Sequence, residues 1–200
     1  IDFPKSHHSV QKNDIADIHA NILTLSYPWE SIEEIRLHHV FEHFQRPTAC
    51  ALIAGWNSWL RNDGILHIEV PDLKRMSLNI FNPFSSIRTR SRAERHVFGS
   101  HEADWATHYE GYDARMLLFL LKSFGFEKNT LIKNSWRGTH NIEVLVRKVR
   151  SFTKEESHMV AQQILRNYLV DDSEIEQNLL LVWMKQYDEQ VSVTYSNKGS

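Results

Sequence analysis

Apolar residues follow two different periods along this chain. Ile32, Ile35 and Leu37 form a short run that fits a buried strand, although the period alone leaves a helix open there. Ala49, Leu52, Ile53, Trp56, Trp59 and Leu60 recur at helical spacing and make one apolar face. Pro47 suits the first turn of that helix, where a missing N–H does no harm. Asn62-Asp63-Gly64 is a turn signal that should close it. Ile65 to Val70, rich in β-branched residues, predicts a strand. In open α/β sheets ligands collect outside the carboxyl ends of the strands. Two polar turns stand at those ends, one from Leu37 to His43 and one from Glu69 to Asp72, and a site is expected there.

Before this stretch, residues 3–13 read as a loop and Asp14 to Ala20 as a short strand. After it, residues 74–111 hold Pro83, several Ser and Arg, and few periodic apolar positions. They read as a long irregular lid or binding loop. Asp113 can cap the next helix. Its expected buried face is Met116, Leu117, Leu120, Leu121 and Phe124, with Gly125 ending it. Strands near residues 126–132 and 141–146 would close the sheet as an antiparallel edge pair. Beyond Phe152, Thr153 with Glu156 and Ser173 with Glu176 show capping-box spacing. Met159, Val160, Ile164 and Leu165 would line one helix, and Ile175, Leu179, Val182 and Trp183 a second. Together these predict an amphipathic hairpin, which divides the chain into residues 1–149 and 150–200.

Composition narrows the class. An apolar share of 42% and a charged share of 24% over 200 residues suit one globular domain with an appendage. A net charge of -2 supplies no field to recruit nucleic acid or an anionic membrane. The short basic run from Arg88 to Arg95 reads as a solvated loop. A single cysteine, Cys50, excludes an internal disulfide framework and fits a reducing, cytoplasmic setting. Cys50 falls on the apolar helix face, as a core residue does. No apolar run is long enough for a membrane span.

His39-Val40-Phe41-Glu42-His43 spells H-x-x-E-H, an order found in a class of zinc peptidases. That chemistry needs a helix through all five residues, so that both imidazoles face the metal while Glu42 activates water. A strand running up to His39 and a new element beginning near Pro47 leave room for only a brief turn.

A second reading takes in the whole segment. Ala16 to Asn21, Leu25 to Pro28, Glu33 to Phe44, Trp59 to Gly64 and Leu66 to Asp72 occur in that order. Phe98 to Glu102, His108 to Tyr112 and Leu121 to Phe126 follow. In order and spacing this resembles the class I S-adenosylmethionine-dependent methyltransferases, in particular their type-11 group, over about residues 1–148. The resemblance implies an α/β fold with a Rossmann-like sheet, incomplete at its N-terminus, followed by the α-helical hairpin. It implies S-adenosylmethionine as cofactor and methyl transfer to an O or N nucleophile of a small-molecule or glycan-type acceptor.

Positions carry over where the motifs match. Asp2 would hold the cofactor's ribose hydroxyls, Asn21 and the Ile22 amide its adenine, and His38 would lie beside its methionine part. Asn21 stands where the family has an aspartate. His39 and His108 are the candidate proton acceptors, and Glu69 and Tyr109 the candidate substrate contacts. One departure is plain. The seven glycines include no G-x-G cluster, so the family's first strand and its Gly-rich loop are expected upstream of Ile1, or else lost in a domain that no longer binds cofactor. Two alternatives therefore stand beside the enzyme: a non-catalytic methyltransferase-like interaction module, and a zinc-dependent hydrolase using His39, Glu42 and His43. The C-terminal helices are the expected contact for an oligomer or a neighbouring domain.

Overall fold

A computed structural model describes residues 17–196. The run containing Ile32, Ile35 and Leu37 is a strand, β1 (Ile32–His38). It is followed by α1 (Arg46–Trp59), with Pro47 in its first turn, and by β2 (Leu60–Pro71). Next come α2 (Leu73–Phe81), α3 (Ile87–Phe98), α4 (Ala114–Ser123), β3 (Phe126–Trp136), β4 (Thr139–Lys148), α5 (Lys154–Arg166) and α6 (Glu174–Thr194). The four strands form one open sheet in the order β1-β2-β4-β3. β1 and β2 run parallel, whereas β4 is antiparallel to both of its neighbours. The architecture is the expected mixed α/β arrangement. β4 and β3 form the antiparallel pair at one edge of the sheet, as foreseen. No helix among the described residues is long and apolar enough to cross a membrane.

α1 is buried except at Arg46 and Thr48. It packs on β2 and also against α5 and α6, so no side of it is left for water. Gly55 makes the α1–α6 approach possible: a Cβ there would stand 2.9 Å from the Thr194 side chain. Trp59 Nε1 donates to the Thr194 carbonyl at 2.6 Å across the same seam. Cys50 lies in this core, where burial pushes its thiol up to about 12.

Three expectations about elements need correction. No turn separates α1 from β2. Asn62 and Gly64 lie within β2, and Asp63, at φ 63°, kinks its first residues. Residues 74–111 are not a long loop: α2 and α3 occupy much of them, capped by the Asp72 and Ser86 side chains. Each of these helices buries one residue, Met76 or Ala93, so the apolar stripe that normally reveals a helix is absent. α5 buries Ile164 and Leu165 as expected but not Met159, and the buried face of α6 is rotated from expectation. α5 buries Ser157, Ala161, Ile164 and Leu165 and exposes Met159; α6 buries Leu180, Met184, Tyr187 and Val191 and exposes Ile175 and Val182. α6 carries apolar residues nearly all round, so the surface of α1 chooses the face. Of the short strand expected from Asp14 to Ala20, residues 14–16 lie outside the described residues, and residues 17–20 form no strand element.

Candidate functional site

The site begins where the parallel strands end. His38 is the register partner of Glu69, and His38 Nε2 lies 3.0 Å from Glu69 Oε2. His38 is 62% exposed, while Glu69 is buried. Glu69 Oε1 also accepts from Asn134 Nδ2 at 2.9 Å and from Asn141 Nδ2 at 3.2 Å, on β3 and β4. Burial opposes ionisation of this carboxyl most strongly. The Asn134 hydrogen bond, the charges of His38 and His39 and the Asn141 hydrogen bond together outweigh it, and its pKa lies below the ordinary value.

His39 turns the chain out of the sheet. Its backbone is left-handed, at φ 53°, and its N–H donates to the Glu69 carbonyl at 3.0 Å. A 3₁₀ turn then spans Phe41–His43. The H-x-x-E-H stretch therefore crosses a strand end, a left-handed residue and a single tight turn. The helix that a zinc peptidase would need is not built. Instead, His39 Nδ1 meets Glu42 Oε1 at 3.2 Å. Burial works against protonation of His39. The Glu42 hydrogen bond and the charges of Glu42 and Glu69 override it, and the His39 pKa stands above its usual value.

Glu42 is the pivot, at 1% exposure. Its carbonyl accepts from the Tyr109 N–H at 2.9 Å and the Glu110 N–H at 3.2 Å, clamping a distant segment onto the turn. That clamp brings His108 Nε2 to 3.9 Å from Glu42 Oε1. His108 Nδ1 is held by the Val97 carbonyl at 3.2 Å, and His43 Nδ1 by the Thr107 carbonyl at 3.0 Å. The two rings meet edge to face at 4.6 Å. His96, on α3, reaches Asn141 Oδ1 through Nε2 at 2.7 Å. Burial, first among the causes, lowers the pKa of both His96 and His108, so these rings favour the neutral form.

His38, His39, Glu69, His96, His108 and Asn141 line one cleft of about 840 Å³, with Arg92, Arg95 and Trp136 at its sides. Its inventory is imidazoles, one ionised carboxylate and amide groups. These can accept a proton, hold a polar acceptor or ligate a cation. A separate hollow of about 450 Å³, lined mainly by apolar residues, lies beside β1.

Of the residues expected from sequence, the fold gathers His38, His39, Glu69 and His108 in the cleft. Ile22 lines the separate hollow instead. Asn21 caps the 3₁₀ turn Ile22–Thr24, its Oδ1 accepting from the Leu23 N–H at 3.0 Å. Tyr109 is 51% exposed. Asp2 lies outside the described residues. Sequence reasoning passed over His96, Asn134 and Asn141, which sit in segments whose pattern signals no ligand chemistry; only the fold brings them to Glu69 and His39.

No protein-family model matches the sequence, and no curated protein matches it. Among solved structures, the chain is similar to a Burkholderia thailandensis 1,6-didemethyltoxoflavin-N1-methyltransferase, determined with 1,6-didemethyltoxoflavin and S-adenosylhomocysteine bound. The TM-score is 0.48 and the identity 14%, over 66% of this chain and 50% of that one. It is also similar to a SAM-dependent methyltransferase of Methanosarcina mazei, with a TM-score of 0.45 and 14% identity over 66% of each chain. The chain thus spans between one half and two thirds of the length of these structures.

Proposed function

We propose that this chain is part of an S-adenosylmethionine-dependent methyltransferase that acts on an O or N nucleophile of a small polar acceptor. The observation that carries the reading is the pairing of His38 with Glu69 at adjoining ends of two parallel strands, opening on a polar cleft. The ordered motifs from Ala16 to Phe126 support it independently.

Methyl transfer from a sulfonium is a direct in-line displacement, so alignment is the protein's main contribution. In this reading His39 takes the acceptor's proton. Its Nδ1 is oriented by buried Glu42, which leaves Nε2 as the basic atom. Glu69, ionised and braced by two amides, binds the acceptor. Ile22 faces the nucleoside across the hollow beside β1, whereas the Asn21 amide oxygen is already engaged by the Leu23 N–H.

Titration of the intact protein with S-adenosylhomocysteine tests the reading. Micromolar binding by calorimetry and a raised melting temperature are expected. His39→Gln should leave that affinity unchanged while lowering methyl transfer about 100-fold or more. Absence of both heat and thermal shift would overturn the assignment.

A further inference from the structure

We propose that Glu42, His43 and His108 form a binding site for one divalent transition-metal ion, behind the wall of the cleft. The donor atoms of these three residues lie within 4.8 Å of one another. Tetrahedral ligands about 2.0–2.2 Å from a common ion stand about 3.3–3.6 Å apart, so a small inward movement of these side chains completes the shell.

Ring orientation gives the first argument. Each imidazole is fastened at Nδ1 by a backbone carbonyl, Thr107 for His43 and Val97 for His108. A carbonyl only accepts, so the proton resides on Nδ1 and the lone pair on Nε2. Ligating histidines are held in this way, with the far nitrogen bonded outside the metal shell.

The carboxylate gives the second. Glu42 is almost wholly buried, and its Oε2 has no hydrogen-bond partner. A buried carboxylate oxygen without a partner is costly, and buried charges are normally paired or bound to a metal. Oε1 is engaged by His39, which would then act as the outer partner of the carboxylate. The outer group of His38, His39 and Glu69 is equally close-set, but it has no such deficit. Asn134, Asn141 and His38 already occupy the Glu69 oxygens, and His38 is largely exposed.

Two imidazoles with one carboxylate suit Zn²⁺, Co²⁺, Mn²⁺ or Fe²⁺ better than Ca²⁺ or Mg²⁺. Three protein ligands leave a further position for water or an acceptor atom. The site does not depend on the methyl-transfer reading, and its test uses no cofactor.

The intact protein, freed of metal by chelation, is titrated with Zn²⁺ by calorimetry and with Co²⁺ by visible absorption. One ion per chain, with Co²⁺ bands typical of nitrogen and oxygen ligands, is expected. Loss of an outer partner weakens such sites about 10–100-fold, so His43→Gln or His108→Gln should each weaken binding at least about 100-fold. Either variant is informative by itself, and Glu42→Gln, close to isosteric, provides a third. His38→Ala should leave Zn²⁺ affinity unchanged. Absence of Zn²⁺ heat and Co²⁺ bands in the parent protein would refute the site. So would binding retained by both histidine variants, or lost only with His38.

Discussion

His38 and Glu69 stand opposite each other at the ends of β1 and β2, 3.0 Å apart, yet they differ in what they support. Glu69 ties two strand ends to the β3–β4 hairpin through Asn134 and Asn141. His38 holds only the outer oxygen. Glu69→Ala strands two amides and is expected to cost roughly 1–3 kcal/mol in urea unfolding. His38→Ala, removing an exposed partner, should cost less than about 1 kcal/mol. Equal losses would contradict this division of roles.

The cleft histidines titrate in opposite senses. In the metal-free protein His39 should deprotonate above about 6.5, and His96 and His108 below it, each followed through its own ring resonance by NMR. The linkage signs follow. The stabilisation due to His39 is full below its unfolded pKa and is lost as pH rises through its raised folded value. That due to neutral His96 and His108 is full above the unfolded pKa and is lost as pH falls through their lowered values. His39→Gln should therefore flatten the decline of the urea midpoint on the alkaline side only. A decline that persists unchanged would show that His39 is not its source.

Gly99 and Gly138 both have positive φ, at 93° and 87°, but their surroundings differ. A Cβ on Gly99 would fall 2.0 Å from the Ala106 carbonyl oxygen, whereas nothing lies within 4 Å at Gly138. Gly138→Ala meets the backbone penalty alone, about 1–2 kcal/mol. Gly99→Ala adds a clash with main chain and should exceed about 3 kcal/mol by thermal melting. Gly99 bridges to Thr107, beside His108, so the same variant should broaden or shift the His108 ring resonance.

Legibility followed periodicity. α1 and α4 were readable because apolar residues recur in each at helical spacing, and Asp113 and Thr153 announce their helices through capping oxygens, whereas the apolar run of β1 left a helix open until the fold paired it with β2. α2 and α3 were not readable, since helices that bury one residue leave no stripe. Asn62-Asp63-Gly64 looked like a helix stop because a left-handed residue serves equally in a kinked strand.

The linear order of residues alone determined that a strand, a helix and a second strand would bring His38, His39 and Glu69 to one end of a sheet. This follows because hydrophobic spacing sets which elements form, and chain direction sets which ends are shared. Tertiary structure alone decided the rest. Asn134 and Asn141 reach the site through antiparallel pairing between distant segments, the Glu42 carbonyl clamps the segment carrying His108, a residue the motif order had singled out without placing, and Glu42 becomes a pivot only because packing shuts it away from water. Spacing cannot encode such contacts. They arise from the particular surfaces that meet when helices and strands are buried against one another.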